Sequence, residues 1–205
     1  MTSRLVVLVS GNGTNLQALL DACAGGKLDA RVVAVVSNKP DAYGLERARA
    51  AGIPAVVVPV HGRPRPEYDR ALADEVAGHQ PDLVVLAGWL RILTAAFLDR
   101  FPARVLNLHP ARPGQFPGLH AIERAWDAHR AGELDAGGVM VHLVPDEEVD
   151  AGPVVAWRTV PFLPGDTLER YEARVHAVEH ELLVTAVNRV LAGEGTLDGR
   201  GEEVP

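Results

Sequence analysis

The chain has 205 residues with a formal net charge of −7, and 47% of its residues are hydrophobic. This length suits one domain with a sizeable core, and the negative charge argues against a generic nucleic-acid binder, because phosphate backbones recruit clustered positive charge. A single cysteine, Cys23, excludes an internal disulfide and fits the reducing cytoplasm. No stretch is long and apolar enough for a membrane span, and the apolar run near the N-terminus is too short for a signal peptide.

Short apolar runs bounded by turn signals recur along the first half of the chain. They are β-branched and nearly continuous, as in strands buried on both faces, and they cover residues 5–9, 32–36, 55–58, 83–87 and 105–108. Helical patterns lie between them, at residues 15–24, 43–51, 66–79 and 95–100. This alternation predicts an α/β fold with an open, mostly parallel twisted sheet and helices on both faces.

The second half of the chain has a different pattern. It predicts a helix at residues 121–131, strands at 138–144 and 154–160, and a long helix at 167–191 with Thr167 as its N-cap. These strands make the C-terminal part of the sheet mixed. We expect a single domain over residues 1–192, with two halves that divide near residue 105, and a flexible tail over the polar, glycine-rich residues 193–205.

The first strand and the first helix are joined by Ser-Gly-Asn-Gly-Thr-Asn, residues 10–15. Small residues there let backbone N–H groups approach an anion at the positive end of the helix. A tight turn in which Thr14 or Asn15 caps the helix is the ordinary explanation, and both roles can coexist. Leu16 stands where a dinucleotide fingerprint has its third glycine, and the second strand ends without an acidic residue for a ribose. The loop alone indicates a phosphate site.

Asn107 and His109 lie in the sequence Asn-Leu-His-Pro at the carboxyl end of the fifth predicted strand. Open parallel sheets bind ligands at that edge, and strand alternation places both side chains on the same side. An amide and an imidazole there can stabilise an oxyanion and exchange a proton. A histidine that caps a strand end and an asparagine in a turn explain the tetrapeptide about equally well.

Asp150 ends an acidic stretch between two predicted strands. A solvated turn explains the other acidic residues, but Asp150 precedes an Ala-Gly-Pro turn that can hold its carboxylate rigidly. A carboxylate beside a histidine raises the imidazole pKa and fixes the ring. His109, His142 and Asp150 can also be written as a metal-binding set, although no closely spaced histidine pair supports one.

These segments, in this order, resemble the glycinamide ribonucleotide transformylase family from about residue 5 to residue 192. The most specific matches are VLVSGNGTNLQAL, VVSNKPDAYGLERA, DLVVLAGWLRIL, NLHP with FPGLHA, and VHLVPDEEVDAGP. The resemblance implies a transferase of purine biosynthesis that moves the formyl group of 10-formyltetrahydrofolate to the amine of glycinamide ribonucleotide. These two small molecules are then the expected partners of a monomer or homodimer, with no metal, nucleic acid or membrane involved.

The resemblance also implies site residues, with nucleotide binding in the half at about residues 1–105 and folate binding and catalysis in the half at about 106–192. The substrate phosphate is assigned to Gly13, Thr14 and Asn15. The folate is assigned to Arg65, Leu90, Arg91, Ile92, Leu93 and Asn107, and the glycinamide end of the substrate to Glu179. Catalysis is assigned to Asn107, His109 and Asp150. In that scheme the amine attacks the formyl carbon directly, Asn107 and a protonated His109 stabilise the oxyanion, and Asp150 keeps the histidine charged.

Two places depart from the family's pattern. Where the family usually reads HPSLLPxFxG, residues 109–118 read HPARPGQFPG, and Met140 replaces a small hydroxyl residue. In the family, the altered stretch at residues 111–115 borders the nucleotide site. Because Asn107, His109 and Asp150 are all present, we expect activity to be retained.

Other functions remain open from the sequence. Formyltetrahydrofolate deformylase shares the three catalytic residues and passes the formyl group to water, but it has an N-terminal regulatory domain, and the phosphate loop favours a nucleotide acceptor. A nucleotide-dependent oxidoreductase would share the parallel sheet, but the glycine fingerprint is missing. A non-catalytic module that binds folate or nucleotide would have no need of Asn107, His109 and Asp150.

Overall fold

The structure of the protein is a computed structural model that describes residues 2–194 and 200–204. The chain forms two compact units, the first made of Met1–Asn107 with Leu143–Glu147 and the second of Leu108–His142 with Glu148–Pro205. Its strands belong to an eight-stranded, mostly parallel sheet, which confirms the predicted fold class. Within the described residues, no helix has both the length and the apolar character needed to cross a membrane.

The first unit alternates strands and helices as predicted. In chain order it contains β1 (Ser3–Val9), α1 (Thr14–Ala24), β2 (Ala30–Ser37), α2 (Tyr43–Ala50), β3 (Ala55–Val57), α3 (Arg65–Gly78), β4 (Leu83–Leu86), α4 (Ala95–Leu98) and the start of β5 (Val105–His109). The strands pair in parallel in the order β3-β2-β1-β4-β5. The loops that follow these strands therefore emerge at one edge of the sheet, where such folds bind ligands.

Strand β1 shows why its sequence is a continuous apolar run. Val6 and Leu8 are fully buried in a core to which α3 and α4 contribute, with Phe97 among the residues from α4. On the opposite face, Val9 packs against α2, since a Cβ on Gly44 would lie 2.9 Å from its Cγ2. Because alternate residues of a strand face opposite sides, burial of both sets confirms helices on both faces.

The second unit contains the end of β5, then α5 (Ala121–Arg130), β6 (Ala136–Leu143), β7 (Val154–Pro161), α6 (Leu168–Leu191) and β8 (Arg200–Glu203). Its strands follow the order β5-β6-β7-β8, with β6 and β7 antiparallel and β7 and β8 parallel, so the predicted mixed character is confirmed. Thr167 is the N-cap of α6, as predicted, because its Oγ1 accepts a hydrogen bond from the N–H of Arg170 at 3.4 Å.

Strand β8 and the end of helix α4 are two of the places where the structure differs from the prediction. Within the segment expected to be a flexible tail, residues 200–203 form β8, and the N–H of Val204 donates to the carbonyl of Trp157 at 2.9 Å; residues 195–199 and 205 lie outside the described residues. A polar, glycine-rich strand pairs through its backbone and has no apolar alternation to reveal it. Helix α4 ends at Leu98 rather than Arg100, because the N–H of Arg100 bonds the carbonyl three residues back, at 3.1 Å, in a tighter turn.

Candidate active site

The second unit contains a buried cluster of two imidazoles and one carboxylate. His109 ends β5, and its Nδ1 lies 3.2 Å from Oδ2 of Asp150. His142, in β6, places its Nε2 3.5 Å from Oδ1 of the same carboxylate. The side chains of His109, His142 and Asp150 are only 5%, 2% and 10% exposed. The structure thus brings two residues of the expected catalytic set together and adds a second histidine.

The backbone holds the Asp150 carboxylate in a fixed position. Asp150 has a φ of 53°, in the left-handed region that residues with a Cβ seldom adopt. The N–H of Gly118 donates to its Oδ2 at 2.8 Å. A non-glycine residue kept in this conformation among titratable side chains is typical of a functional site.

Opposing effects act on the pKa of His109, the residue that Asp150 is expected to keep protonated. Burial lowers the pKa of His109, and this outweighs the opposite effects of the Asp150 charge and of the Phe116 carbonyl, which lies 3.0 Å from Nε2. For Asp150, burial raises the pKa, but hydrogen bonds from His142 and from the N–H of Gly118 lower it by more, so the net shift is downward. Burial thus opposes the charged form of His109, whereas the hydrogen bonds of Asp150 favour its ionised form. The sequence reveals the carboxylate but not the burial that opposes it.

Asn107 lies in β5, two positions before His109. Its backbone is in register with Leu86 of β4, so it stands at the carboxyl end of the parallel strands of the first unit. The residue is half-buried. Its place in the chain and in the strand is the one that the sequence predicts.

The loop that departs from the family's pattern is closely packed within the second unit. Ala111 is buried, and Nε of Arg112 donates to Oε1 of Gln115 at 3.3 Å. A Cβ on Gly138 of β6 would overlap the Arg112 side chain. The same loop leads to the Phe116 carbonyl, so it helps to form the surroundings of the His109 ring. Met140, the other departure, is buried in β6.

In the first unit, the loop of residues 10–15 leads from β1 into α1, and its cap differs from the prediction. Gly13 is the N-cap, rather than Thr14 or Asn15, and no side chain caps the helix. Gly13 has a φ of 76°, and a Cβ there would lie 2.7 Å from Cα of Gly44, so only glycine fits. This contact with α2 explains why Gly13 is the N-cap, and it could not be predicted from the neighbouring sequence. Thr14 and Asn15 begin the helix, where backbone N–H groups create the positive end of its dipole.

The segment that follows β4 carries the four consecutive residues expected to contact the folate. Leu90 and Ile92 are 57% and 40% exposed, whereas Leu93 is buried. The guanidinium of Arg91 lies over the ring of Tyr68, 5.0 Å from its centroid. Nε of Arg91 is buried and has no hydrogen-bond partner among the described residues. Two exposed apolar side chains beside an arginine form a surface suited to a flat ring with polar edges.

Two hydrogen bonds hold the ends of this segment. The N–H of Leu90 donates to Oγ of Ser10 at 3.1 Å, and the N–H of Thr94 donates to Oδ2 of Asp69 at 2.7 Å. Ser10 and Asp69 are both buried. The segment that carries Leu90 and Ile92 is therefore anchored at both ends by buried side chains of the same unit.

Arg65, the first residue of α3, lines an open cavity of about 420 Å³ together with Thr94, Ala95 and Glu147. Oε1 of Glu147 accepts a hydrogen bond from the N–H of Ala95 at 3.2 Å. A cavity of this volume is within the range of small-molecule sites. The structure thus brings Arg65 close to the residues that directly follow Leu93.

Glu179, in α6, is buried and is not a solvated helix residue. Nδ1 of His176 lies 2.9 Å from its Oε2. This hydrogen bond raises the pKa of His176 above its ordinary value, against the opposing effect of burial. A buried carboxylate with a histidine partner is a group that can recognise a polar part of a ligand.

His142 is the residue of the buried cluster for which the sequence suggests only a metal-binding role. Its position in an apolar strand shortly before Asp150 is the signal that could have indicated an acid–base cluster instead. Over residues 2–194 and 200–204, no three His, Cys, Asp or Glu side chains are arranged to hold a metal ion.

Comparisons with known proteins all find similarity to formyl transferases. The family model described as formyl transferase matches residues 3–187. A phosphoribosylglycinamide formyltransferase of Dictyostelium discoideum is 44% identical over 201 residues, which cover 91% of this chain and 97% of that protein. The enzyme of the same name from Escherichia coli is 44% identical over 183 residues, which cover 87% of this chain and 82% of that protein.

Solved structures show the same similarity. Glycinamide ribonucleotide transformylase 1 from Symbiobacterium toebii superposes with a TM-score of 0.90 at 40% identity, covering 98% of this chain and 92% of that chain. The phosphoribosylglycinamide formyltransferase from Coxiella burnetii, in complex with CHES, superposes with a TM-score of 0.90 at 37% identity, covering 100% of both chains.

Proposed function

Because the chain belongs to the formyl transferase family, we propose that it transfers the formyl group of 10-formyltetrahydrofolate to the amine of phosphoribosylglycinamide in purine biosynthesis. Formylated folate is the co-substrate of this family, and the relatives that match most of the chain are named for the phosphoribosylglycinamide acceptor. The observation that carries the proposal is the buried pair of His109 and Asp150 at the end of β5, where open parallel sheets bind their ligands.

The proposed reaction is a direct transfer between the two substrates. The amine lone pair of the ribonucleotide attacks the formyl carbon, and the formyl oxygen becomes an oxyanion to which the Asn107 amide donates a hydrogen bond. His109 accepts the proton that the amine releases. The imidazolium then gives a proton to N10 of the folate as the bond between that nitrogen and the formyl carbon breaks. No bond to the protein forms at any stage.

The surroundings of His109 support the charged ring that this proton transfer would produce. Burial lowers the pKa of the ring and so favours the neutral form, which is the form that can accept a proton. Its two nitrogens face oxygen atoms of Asp150 and Phe116, at 3.2 and 3.0 Å. An imidazolium has two N–H groups and can donate to both, whereas a neutral ring can donate to only one. The ionised Asp150 thus stabilises the charge that His109 acquires during the reaction.

Binding of the acceptor is assigned to two places in the chain. Gly13, Thr14 and Asn15 would hold the phosphate at the positive end of α1, where backbone N–H groups favour an anion. Glu179 would contact the glycinamide end, because a carboxylate is a suitable acceptor for its N–H groups. The buried position of Glu179 and its contact with His176 support this assignment.

Binding of the folate is assigned to the segment after β4, to Arg65 and to Asn107. The exposed side chains of Leu90 and Ile92 support a contact with the pterin ring, and Arg91 and Leu93 belong to the same segment. Arg65 lines the adjacent cavity, where its positive charge suits the carboxylates of the folate's glutamate tail. We further propose that the enzyme acts in the cytoplasm, in line with its single cysteine. Its expected monomeric or homodimeric state stays a prediction.

The test follows donor and acceptor products together. Purified protein is given 10-formyltetrahydrofolate with or without phosphoribosylglycinamide, and tetrahydrofolate, formylated ribonucleotide and formate are measured. The proposal expects donor consumption only with the acceptor, with equal amounts of tetrahydrofolate and formylated ribonucleotide. Formate release at the same rate without the acceptor would identify a deformylase. Binding of either ligand without turnover would identify a binding module.

A further inference from the structure

One side chain of α2 holds the loop of residues 10–15. Nε of Arg47 donates to the carbonyl oxygen of Asn12 at 2.9 Å, and its Nη2 donates to Oδ1 of the same residue at 2.8 Å. Its Nη1 donates to Oε1 of Gln17 in α1 at 3.3 Å. A single guanidinium thus connects the loop, the first turns of α1 and α2.

The backbone of α2 meets the same loop. The N–H of Gly44 donates to the carbonyl of Gly11 at 3.1 Å. Gly13 approaches Gly44 so closely that a Cβ on Gly13 would lie 2.7 Å from the Gly44 Cα. Because α1 has no side-chain cap, the loop next to its start depends on contacts with α2, and Arg47 is the α2 side chain that holds Asn12.

The contacts of Arg47 preserve its positive charge beside the loop. The three acceptor atoms belong to Asn12 and Gln17 and are neutral oxygens. The ring of Tyr43 lies 5.0 Å from the guanidinium carbon and helps to fix the plane of the group. An anion at the start of α1 would meet the positive end of the helix and this fixed cation together.

We propose that Arg47 is a positioning residue for the phosphate of the ribonucleotide. It holds Asn12 by two hydrogen bonds, so that the backbone N–H groups at the start of α1 keep the directions that a phosphate needs. A planar fork suits this task because it binds two oxygens of one residue in a fixed geometry, which a lysine ammonium does not. The inference rests on the proposed function, since the phosphate is that of the proposed acceptor.

Three variants test the proposal by steady-state kinetics with each substrate varied in turn. Arg47→Ala should raise the KM for phosphoribosylglycinamide by about tenfold, equivalent to about 1.4 kcal/mol, and leave the KM for the formyl donor within about twofold. Arg47→Lys keeps the charge without the fork and should recover only a small part of the loss. Arg49→Ala is the matched control, because Arg49 lies on the same helix and pairs with the exposed Glu46 instead of the loop.

An unchanged KM for the ribonucleotide in Arg47→Ala overturns the proposal. Full recovery in Arg47→Lys also overturns it, because charge alone would then explain the effect. Thermal unfolding of each variant accompanies the kinetics. If Arg47→Ala is too unstable to assay, Asn12→Ala removes one of the two acceptors of the fork at an exposed position and should raise the same KM to a smaller extent.

Inorganic phosphate separates a failure of this inference from a failure of the proposed function. In isotope-labelled wild-type protein, phosphate should shift the backbone amide resonances of Gly13, Thr14 and Asn15, and Arg47→Ala should need about tenfold more phosphate for the same shift. Equal responses of the two proteins, or no response of these amides in the wild type, overturn the inference. A weakened response in a protein that does not formylate the ribonucleotide supports the inference and contradicts the proposed function.

Discussion

The functional residues of the two units differ in how exposed they are and in what holds them in place. In the first unit, the segment after β4 that is assigned to the folate is held by a hydrogen bond from the N–H of Leu90 to Ser10, while Leu90 and Ile92 stay exposed. In the second unit, His109 and Asp150 are almost fully buried, and burial together with hydrogen bonds sets their charges. Substitutions at the binding residues of the first unit should therefore change KM values, whereas substitutions of His109 and Asp150 in the second unit should change turnover and pH dependence.

The largest effect is expected in the buried cluster of the second unit. His109→Ala and Asp150→Asn should each lower kcat by about two orders of magnitude or more, as is typical of acid–base groups. The double variant should be little slower than the worse single variant, because the two residues act as a unit. Rates are measured at saturating substrates.

Surface substitutions of the same chemical type are the controls for this prediction. His61→Asn and Asp74→Asn change an exposed histidine and an exposed aspartate of the first unit and should leave kcat unchanged. A folded His109→Ala or Asp150→Asn variant with near wild-type kcat would show that the substituted residue has no part in the proton transfer.

A smaller, one-sided effect is expected in the phosphate loop. Thr14→Val removes one hydroxyl from an exposed position and should raise the KM for the ribonucleotide about three- to tenfold, with the KM for the folate unchanged. Because Gly13 is the N-cap, the free energy of unfolding should change by less than about 0.5 kcal/mol. A loss of about 1 kcal/mol would mean that Thr14 caps α1 after all, and a rise confined to the folate KM would mean that the two substrates are assigned to the wrong residues.

Substitution of the N-cap of α6 should change stability and leave the kinetic constants unchanged. Thr167→Ala removes the acceptor for the N–H of Arg170 and should lower the free energy of unfolding by about 1 kcal/mol. Thr167→Ser keeps the acceptor and should stay close to the wild type. Denaturant unfolding measures the change, and a change in either KM would contradict a purely structural role for this residue.

The pH dependence of the free energy of unfolding tests whether burial lowers the pKa of His109 in the second unit. Burial places the pKa of His109 in the folded protein below its unfolded value, so its contribution to stability is present above about pH 6.5 and is lost as the pH falls through the folded pKa. The difference in unfolding free energy between the wild type and His109→Gln should therefore shrink as the pH is lowered below about 6.5.

Other titrating groups act in the same pH range and must be separated from His109. His180 has a lowered pKa because of burial, and His176 has a raised one because of its hydrogen bond to Glu179, so their effects on stability have opposite signs. Both are unchanged in the His109→Gln variant and cancel in the comparison. The lowered pKa of Asp150 affects stability only at more acidic pH. A difference that grows on acidification would show that His109 is charged in the resting protein.

The fold could be predicted where burial leaves a direct trace in the sequence. The run at residues 5–9 is continuous because β1 is covered on both faces, and the Ser-Gly-Asn-Gly-Thr-Asn turn indicated the start of α1 to within a residue. Strand β8 could not be predicted, since residues 200, 202 and 203 pair with β7 through the backbone, and Gly201 between them has a positive φ of 51°.

The residues of the site could be predicted from the sequence, but their pKa values and the contacts that hold them in place could not. His109 and Asp150 were identified together, whereas the lowered pKa of His109 depends on burial that only the folded chain provides. The Gly13 cap and the Arg47 fork both arise from contacts between the loop of residues 10–15 and α2, which are distant in sequence. Such tertiary contacts leave no local pattern that propensity or spacing could reveal.

The central claim, direct transfer of the formyl group to the ribonucleotide, is tested most directly by a single turnover. Excess protein is mixed with 10-formyltetrahydrofolate that is isotope-labelled in the formyl carbon, together with phosphoribosylglycinamide, and the label is followed in ribonucleotide, formate and protein. We predict that the label passes quantitatively to the ribonucleotide amine, that none becomes attached to the protein, and that none moves when the acceptor is omitted. Label released as formate at an equal rate with and without the acceptor, or label bound covalently to the protein before it reaches the ribonucleotide, would contradict the account.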